Sequence, residues 1–299
     1  MKLIQWFPGH MAKAMKMMRE NLDLCDAAAV ILDARCPYAS INRKHDELFA
    51  AKPVLYVLNK ADLADEGVTK AWLSYFSARG AAAIALSASD PKGISALRRA
   101  LNTLSSPISE KYRKKGQNHA VRIMVAGIPN TGKSTVINAL SGAKKAVTGD
   151  KAGVTRDKQW IRLDGVELLD TPGVMPPSFE NQTLAKHLAY CGAINDDILD
   201  FPDLCTEFLA ELSSGKYRAL LTEKYGITGE EDRSELLFSV AKRRGFLLRG
   251  GEYDYERAAH AALDDFRKGK IGKISLETPE DAEKPEETEK PDETPEAGQ

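Results

Sequence analysis

Gly127-Ile128-Pro129-Asn130-Thr131-Gly132-Lys133-Ser134 satisfies the pattern G-x4-G-K-[ST], and its flanks decide what it means. Before it runs Val121-Arg122-Ile123-Met124-Val125-Ala126, with the apolar weight of a buried strand; after it, residues 135–140 carry helical spacing. Strand, glycine-rich turn and helix in this order make a phosphate-binding loop. Glycines let successive N–H groups, from Asn130 and Thr131 through Gly132 to Thr135, turn inward around phosphate oxygens, and the helix N-terminus adds its dipole. Lys133 then reaches the β and γ phosphates as a catalytic cation, and the Ser134 hydroxyl ligates Mg²⁺. The element places this chain among α/β folds with a largely parallel, doubly wound sheet.

Working outward, Asp170-Thr171-Pro172-Gly173 follows the strand pattern Val166-Glu167-Leu168-Leu169. A carboxylate there sits at the carboxyl end of a buried strand, where such sheets bind ligand, so Asp170 is a second Mg²⁺ residue. Gly173 can offer its N–H to a γ-phosphate because no side chain blocks the approach. Asn59-Lys60-Ala61-Asp62 ends another strand, Val54-Leu55-Tyr56-Val57-Leu58, and selects the base. The Asp62 carboxylate accepts from guanine N1–H and the 2-amino group, whereas adenine offers neither donor and would leave the carboxylate unpaired. Asn59 can bond the base edge and the adjacent loops, and the Lys60 stem can cover the ring. Ser87-Ala88-Ser89, again after a strand pattern, fits a loop whose N–H meets guanine O6.

The rest of the chain divides by texture. Residues 27–32, 54–58 and 81–86 read as buried strands, with a helix over 68–79 before the third of them and another over 94–104 after it. Residues 105–119, with Lys111, Arg113, Lys114 and Lys115, read as a basic linker. Beyond about residue 195 the pattern is helical. Pro202 suits the first turn of one helix; another spans 254–268, with Asp254 as N-cap and Gly269 as its stop. The expected division is an α/β domain over 1–190, a small all-α domain over 191–276, and an acidic disordered tail over 277–299.

Charge sharpens this division. The 299 residues are 43% hydrophobic and 28% charged, ordinary for a globular protein and incompatible with a collagenous or wholly disordered one. The formal net charge of −1 conceals ten acidic residues and two lysines in 277–299, which leave the body at +7. A basic body favours a polyanion such as nucleic acid, and Lys242, Arg243, Arg244, Arg249, Arg257, Arg267, Lys268, Lys270 and Lys273 could supply phosphate contacts or a solvated helix face. No apolar run approaches 18 residues and the start lacks signal-peptide layout, so a cytoplasmic protein without membrane contact is expected. Cys25, Cys36, Cys191 and Cys205 form no C-x-x-C pair and read as reduced thiols.

Conventional GTPases carry these elements as phosphate loop, switch threonine, D-x-x-G, N-K-x-D, then S-A-x; here the last two come first. That order resembles the circularly permuted GTPases of ribosome assembly. Trp6-Phe7-Pro8-Gly9-His10-Met11, Asp33-Ala34-Arg35 with Pro37, residues 149–156, Asp170 to Gly173, Gly250-Gly251-Glu252-Tyr253-Asp254, Phe266-Arg267 and Ser275-Leu276-Glu277 are similar to the ribosome biogenesis GTPase A family over residues 1–277. Ala152 stands where a proline is usual and Cys36 where an aliphatic residue is usual; neither removes a ligand.

A monomer is expected, and the resemblance implies that it cycles between GTP and GDP with Mg²⁺, binds the maturing large (50S) ribosomal subunit, and is released on hydrolysis. It implies Thr155 as the switch threonine on Mg²⁺, with Thr148 as a weaker choice. It gives Asn130 two readings, a solvent-facing loop residue or a ligand for K⁺ at the transition state. Val174 stands where classical GTPases place a water-orienting glutamine and cannot hydrogen-bond. His10 becomes the residue that orients or deprotonates water, against a purely structural reading. A non-enzymatic RNA scaffold is opposed by Lys133, Ser134, Asp170 and Thr155, and a tRNA-modification or transport GTPase by the lack of a further catalytic domain or membrane segment.

Overall fold

The computed structural model describes residues 4, 9–142, 159–163, 165–175, 179 and 181–283. Its strands are β1 (Ala27–Asp33), β2 (Val54–Asn59), β3 (Ala82–Ala85), β4 (Val121–Ala126), β5 (Gln159–Arg162) and β6 (Val166–Asp170). The helices are α1 (Gly9–Asn21), α2 (Pro37–Ser40), α3 (Arg43–Phe49), α4 (Glu66–Ala78), α5 (Pro91–Arg113), α6 (Lys133–Ser141), α7 (Gln182–Tyr190), α8 (Phe201–Ser214), α9 (Arg218–Tyr225), α10 (Leu236–Arg244), α11 (Tyr255–Arg267) and α12 (Pro279–Glu283).

Six strands form one sheet in the order β3-β2-β1-β4-β6-β5, parallel except for the edge pair β5–β6. Strand β1 is buried along its whole length, and its alternate residues feed two cores. Ala27, Ala29 and Ile31 pack with Leu97, Leu101, Val136 and Ile137 from α5 and α6. Ala28, Val30 and Leu32 face the other way, into a core continued by Tyr190, Phe208, Leu212, Leu263 and Phe266. Period-two alternation of a strand that is apolar up to its terminal Asp33 therefore has a helix layer for each face. Registry aligns Asp33 with Asn59, Val30 with Ala126, and Val125 with Asp170, so the carboxyl ends of β1, β2, β4 and β6 meet at one edge.

Several expected elements shift. The basic linker largely vanishes because α5 continues to Arg113 through Pro107. A proline inside a helix costs about 3 kcal/mol; the exposed Pro107 is carried by burial of Leu101 and packing of Leu104 and Ile108. Lys111 and Arg113 thus complete the last helical turn, a favourable end for cations. Strand β5 carried too short and mixed a pattern to be expected. The helix after 254 forms as α11, with the Asp254 carboxylate accepting from the Arg257 N–H and Gly269 at φ +69° behind it.

The acidic segment also begins later than composition suggests. Glu277 is 1% exposed, α12 follows it, and Arg79 pairs with Glu283 at 2.9 Å. The remaining tail, 284–299, lies outside the described residues. Glu277 binds His187 Nδ1 at 2.9 Å and accepts from the Ala39 N–H, while Glu211 meets His187 Nε2 at 3.0 Å. Burial opposes a charge on His187, but the bonds to Glu211 and Glu277 outweigh it and raise its pKa to about 10.

A histidine whose folded pKa lies above its unfolded value stabilises fully below about 6.5 and loses that contribution as pH rises through the folded value. Thermal unfolding of this chain is therefore expected to fall between pH 7 and pH 10. Glu277→Gln should lower stability by about 3 kcal/mol at pH 7, since one partner of a buried pair is removed, and should flatten the alkaline decline. An unchanged pH profile in that variant would contradict the pairing.

Candidate functional site

The site is assembled at the carboxyl edge of the sheet. Leaving β4, the chain turns through 127–132 into α6, and Lys133 enters as the first helical residue. Its ammonium is buried and donates to the carbonyls of Gly127 (3.1 Å) and Ile128 (2.8 Å). Burial lowers its pKa to about 8, with Asp170 acting in the opposite sense. Ser134 is half-buried and Thr135 exposed on the opening turn of α6.

Asp170 ends β6 with both carboxylate oxygens buried and no hydrogen-bond partner among the described residues. Burial raises its pKa to about 6, against the lowering effect of Lys133. A desolvated carboxylate without donors is poorly matched to an apolar wall and well matched to a hard cation, so the donor set of Asp170 and Ser134 fits Mg²⁺.

Two glycines are required by close approach. A Cβ on Gly173 would lie 2.7 Å from the Pro129 nitrogen and 3.0 Å from Lys133 Nζ, so the D-x-x-G backbone lies directly against the phosphate loop. Gly132 has φ +88°, and a Cβ there would sit 2.4 Å from Asn59 Nδ2. That contact belongs to the brace that joins the loops. Asn59 Nδ2 donates to the Thr131 carbonyl at 2.8 Å, and its Oδ1 accepts from the Ala88 N–H at 3.0 Å.

Asn59 thus bonds the adjacent loops, one of the two tasks expected of it. Lys60 adopts φ +60° and sends its ammonium to the Asn130 carbonyl (2.6 Å) and to Asp33 Oδ2 (3.0 Å). Asp62 is exposed on the same loop, and Ser87 and Ser89 share a hydrogen bond at 2.8 Å beside Ala88. Asn130, at φ +58°, directs Nδ2 to the carbonyls of Cys191 (3.4 Å) and Gly192 (3.2 Å).

Three residues join the site that no phosphate or base motif assigned to it, although Asp33 stood in the Asp33-Ala34-Arg35 run quoted for the family resemblance. Asp33 ends β1 on the same edge as Asn59 and pairs with Arg35 through Nε (2.9 Å) and Nη2 (2.8 Å) as well as with Lys60. Burial opposes its ionisation, but Arg35 and Lys60 hold it well below the ordinary carboxylate range. Its place at a strand's carboxyl end was the available signal. Asn42 donates to the Val174 carbonyl at 3.0 Å, and His45, one turn on, is 1% exposed with neither ring nitrogen partnered among the described residues. Burial and the nearby Lys133 lower its pKa to about 3, so it is neutral; no sequence pattern marked it. Val174 itself is buried.

His10 lies in the first turn of α1, and its side chain lies outside the described residues, as do Trp6 to Pro8. Thr155 and Thr148, with the whole of 149–156, lie outside them too. Among the basic residues of the helical region, Lys268 and Lys270 pair with Asp264 and Asp265, Arg257 and Lys242 lie over the Phe246 and Phe238 rings, and two arginines are held more firmly. Arg244 pairs with the buried Asp265, which also accepts from the Tyr225 hydroxyl. Arg267 binds the Tyr190 and Ala189 carbonyls and Asp196. Arg243, Arg249 and Lys273 remain exposed or half-exposed.

A phosphate loop in mid-chain, a buried aspartate across from it, and an N-K-x-D brace supplied by an earlier strand define a circularly permuted P-loop GTPase. The profile of a family described as 50S ribosome-binding GTPase matches residues 122–212. Ribosome biogenesis GTPase A of Bacillus cereus is 42% identical over 282 residues, which span 93% of this chain and 95% of that one. The protein of the same name from Thermotoga maritima is 30% identical, over 93% of this chain and 95% of its own. The crystal structure of GNP-bound YlqF from T. maritima matches with a TM-score of 0.63 at 28% identity, covering 90% of this chain and 99% of that chain. This chain belongs to the ribosome biogenesis GTPase A family.

Proposed function

We propose that this GTPase is a cytoplasmic assembly factor that binds the maturing large ribosomal subunit in its GTP state and leaves on hydrolysis. The observation that carries the reading is the buried, unpartnered Asp170 carboxylate facing the Lys133 end of a phosphate loop, in a chain whose relatives carry a ribosome-assembly name. No helix among the described residues is long and apolar enough to cross a membrane.

In this reading the Lys133 ammonium leaves the Gly127 and Ile128 carbonyls for the β and γ phosphates, and the N–H groups of 130–135 cradle their oxygens. Asp170, Ser134 and Thr155 hold Mg²⁺, which supplies charge neutralisation on the phosphate oxygens. Gly173 donates its N–H to the γ-phosphate, so loss of that group releases the segment that continues through 174–181 into α7. Asp62 reads the guanine edge, while Asn59 and Ala88 keep its loop in register. His10 orients the attacking water, a task that Val174 cannot perform. Asn130 is the K⁺ residue if its side chain leaves the 191–192 turn, where Nδ2 donates to the Cys191 and Gly192 carbonyls, and presents Oδ1 towards the phosphates; replacement of K⁺ by Na⁺ should then lower the rate.

The sheet unit (1–190) hydrolyses nucleotide, and the helical unit (191–276) contacts rRNA. Structural pairing of Arg244 and Arg267 narrows the phosphate contacts to exposed groups such as Arg243 and Arg249. Arg243→Ala with Arg249→Ala should weaken GTP-state binding to the large subunit and flatten its salt dependence, because fewer counterions are released.

The decisive experiment is the GTP hydrolysis rate with and without purified large subunits. Stimulation of tenfold or more is expected, with His10→Ala retaining nucleotide affinity and losing most of it. Equal rates with and without subunits would remove the assembly reading, and normal stimulated turnover in His10→Ala would remove the histidine's role.

A further inference from the structure

Cys36 and Cys191 are 155 positions apart, yet their sulfurs meet at 3.4 Å. Cys36 caps the start of α2, just beyond the carboxyl end of β1, and Cys191 caps the end of α7. Both are buried. A disulfide has sulfurs at about 2.05 Å, so side-chain rotation and a small approach would join them. Cys25 and Cys205 are also buried, and burial raises both their thiols above the ordinary value.

Asp33 lies with these thiols, the three ligand atoms falling within 4.8 Å of one another. A divalent metal is nevertheless poorly served there. The Asp33 carboxylate is already shared by Arg35 and Lys60, and a metal would stand beside both of these cations in a buried site. At Cys191 burial and Asp33 oppose ionisation, while the Cys36 hydrogen bond, Arg35 and Lys60 act the other way and lower the thiol's pKa. The Cys36 thiol is held well above its ordinary value by the bond to Cys191 and by burial, so Cys191 is the sulfur assigned the first attack.

The neighbourhood gives this pair a lever on the nucleotide site. The Cys191 and Gly192 carbonyls accept from Asn130 Nδ2 in the phosphate loop. A Cβ on Gly192 would lie 3.1 Å from that nitrogen and 3.2 Å from the Arg267 guanidinium, so the turn has little slack to absorb a displaced sulfur.

We propose that Cys36 and Cys191 are a peroxide-sensitive dithiol whose disulfide ties the end of α7 to the start of α2 and slows GTP turnover through the Asn130 contact. The effect on turnover rests on the GTPase reading of the site; the oxidation does not. The Cys191 sulfur attacks hydrogen peroxide, breaking the O–O bond and releasing water as the sulfur becomes a sulfenic acid. The Cys36 sulfur then attacks Cys191, the S–O bond breaks, and a second water leaves. Two thiols lose two hydrogens and two electrons; peroxide is reduced to two waters. A dithiol reductant reverses the change.

The test uses the full chain, reduced and then treated with stoichiometric hydrogen peroxide, followed by denaturation and alkylation. Intact-mass and peptide analysis should show loss of two hydrogens, a single Cys36–Cys191 cross-link, alkylation of Cys25 and Cys205 only, and reversal by dithiothreitol. GTP turnover should fall at least threefold in the oxidised form and recover on reduction. Cys36→Ser and Cys191→Ser should match the reduced wild-type rate and keep it under peroxide. Sulfinic acids or cross-links elsewhere, without the Cys36–Cys191 link, would overturn the pair; the link with unchanged turnover would overturn its control of the site. Reduced protein that hydrolyses no GTP would strike the GTPase reading instead, because the mass measurement requires no nucleotide.

Discussion

Lys133→Ala is expected to cut GTP hydrolysis by about 10²- to 10³-fold, the usual consequence of removing one preorganised charge from a phosphoryl or oxyanion site. The ammonium lies on α6 within hydrogen-bond distance of two loop carbonyls and close enough to Asp170 to act on its titration. It can therefore transfer to phosphate oxygens without rebuilding the loop. Burial already disfavours its charge, with the pKa down to about 8, so replacement should cost the nucleotide-free fold little. Lys133→Met, which retains the apolar stem, separates lost chemistry from lost packing. Phosphate release and thermal unfolding measured on both variants check this. Hydrolysis within threefold of wild type in either would remove Lys133 from the mechanism.

Asp62→Asn should reverse base choice. A carboxylate accepts from both N1–H and the 2-amino group of guanine, whereas an amide presents one acceptor and one donor. Its donor would face the guanine amino group, leaving two donors opposed. Sites built to pair with a particular edge reject the mismatched one by on the order of 10⁴-fold. GTP affinity should fall on that scale, and xanthosine triphosphate, which carries a 2-oxo group, should bind in its place. The exposed position of Asp62 allows the exchange without disturbing a buried partner. The Asn59 bonds to Thr131 and Ala88 are left to hold the loop. Titration of both nucleotides against the variant tests it; preserved preference for GTP would move base recognition to another residue.

The class of fold and much of the site were legible because both depend on short contiguous runs. A phosphate loop requires glycine at fixed spacing between a strand and a helix, so residues 127–134 carry their meaning locally. Asp170 and the Asn59-Lys60-Ala61-Asp62 run each follow a strand, and a parallel sheet places such ends together, as β2, β4 and β6 do. The order of these runs was enough to expose the permutation. Helix limits were legible where caps are local, as at Asp254 and Gly269.

Contacts between distant segments were decided only by the tertiary structure. Pro107 stays helical because Leu101, Leu104 and Ile108 gain an apolar face against the sheet, which no local propensity records. Glu277 looked like the first residue of an acidic tail, yet it is buried against His187 and Ala39, 90 and 238 positions away. Arg244 and Arg267 looked available to RNA until Asp265, Asp196 and main-chain carbonyls claimed them. Residue types disclose charge and hydrogen-bonding capacity, whereas the choice of partner depends on which side chains the packed sheet and helices leave within about 3 Å of one another.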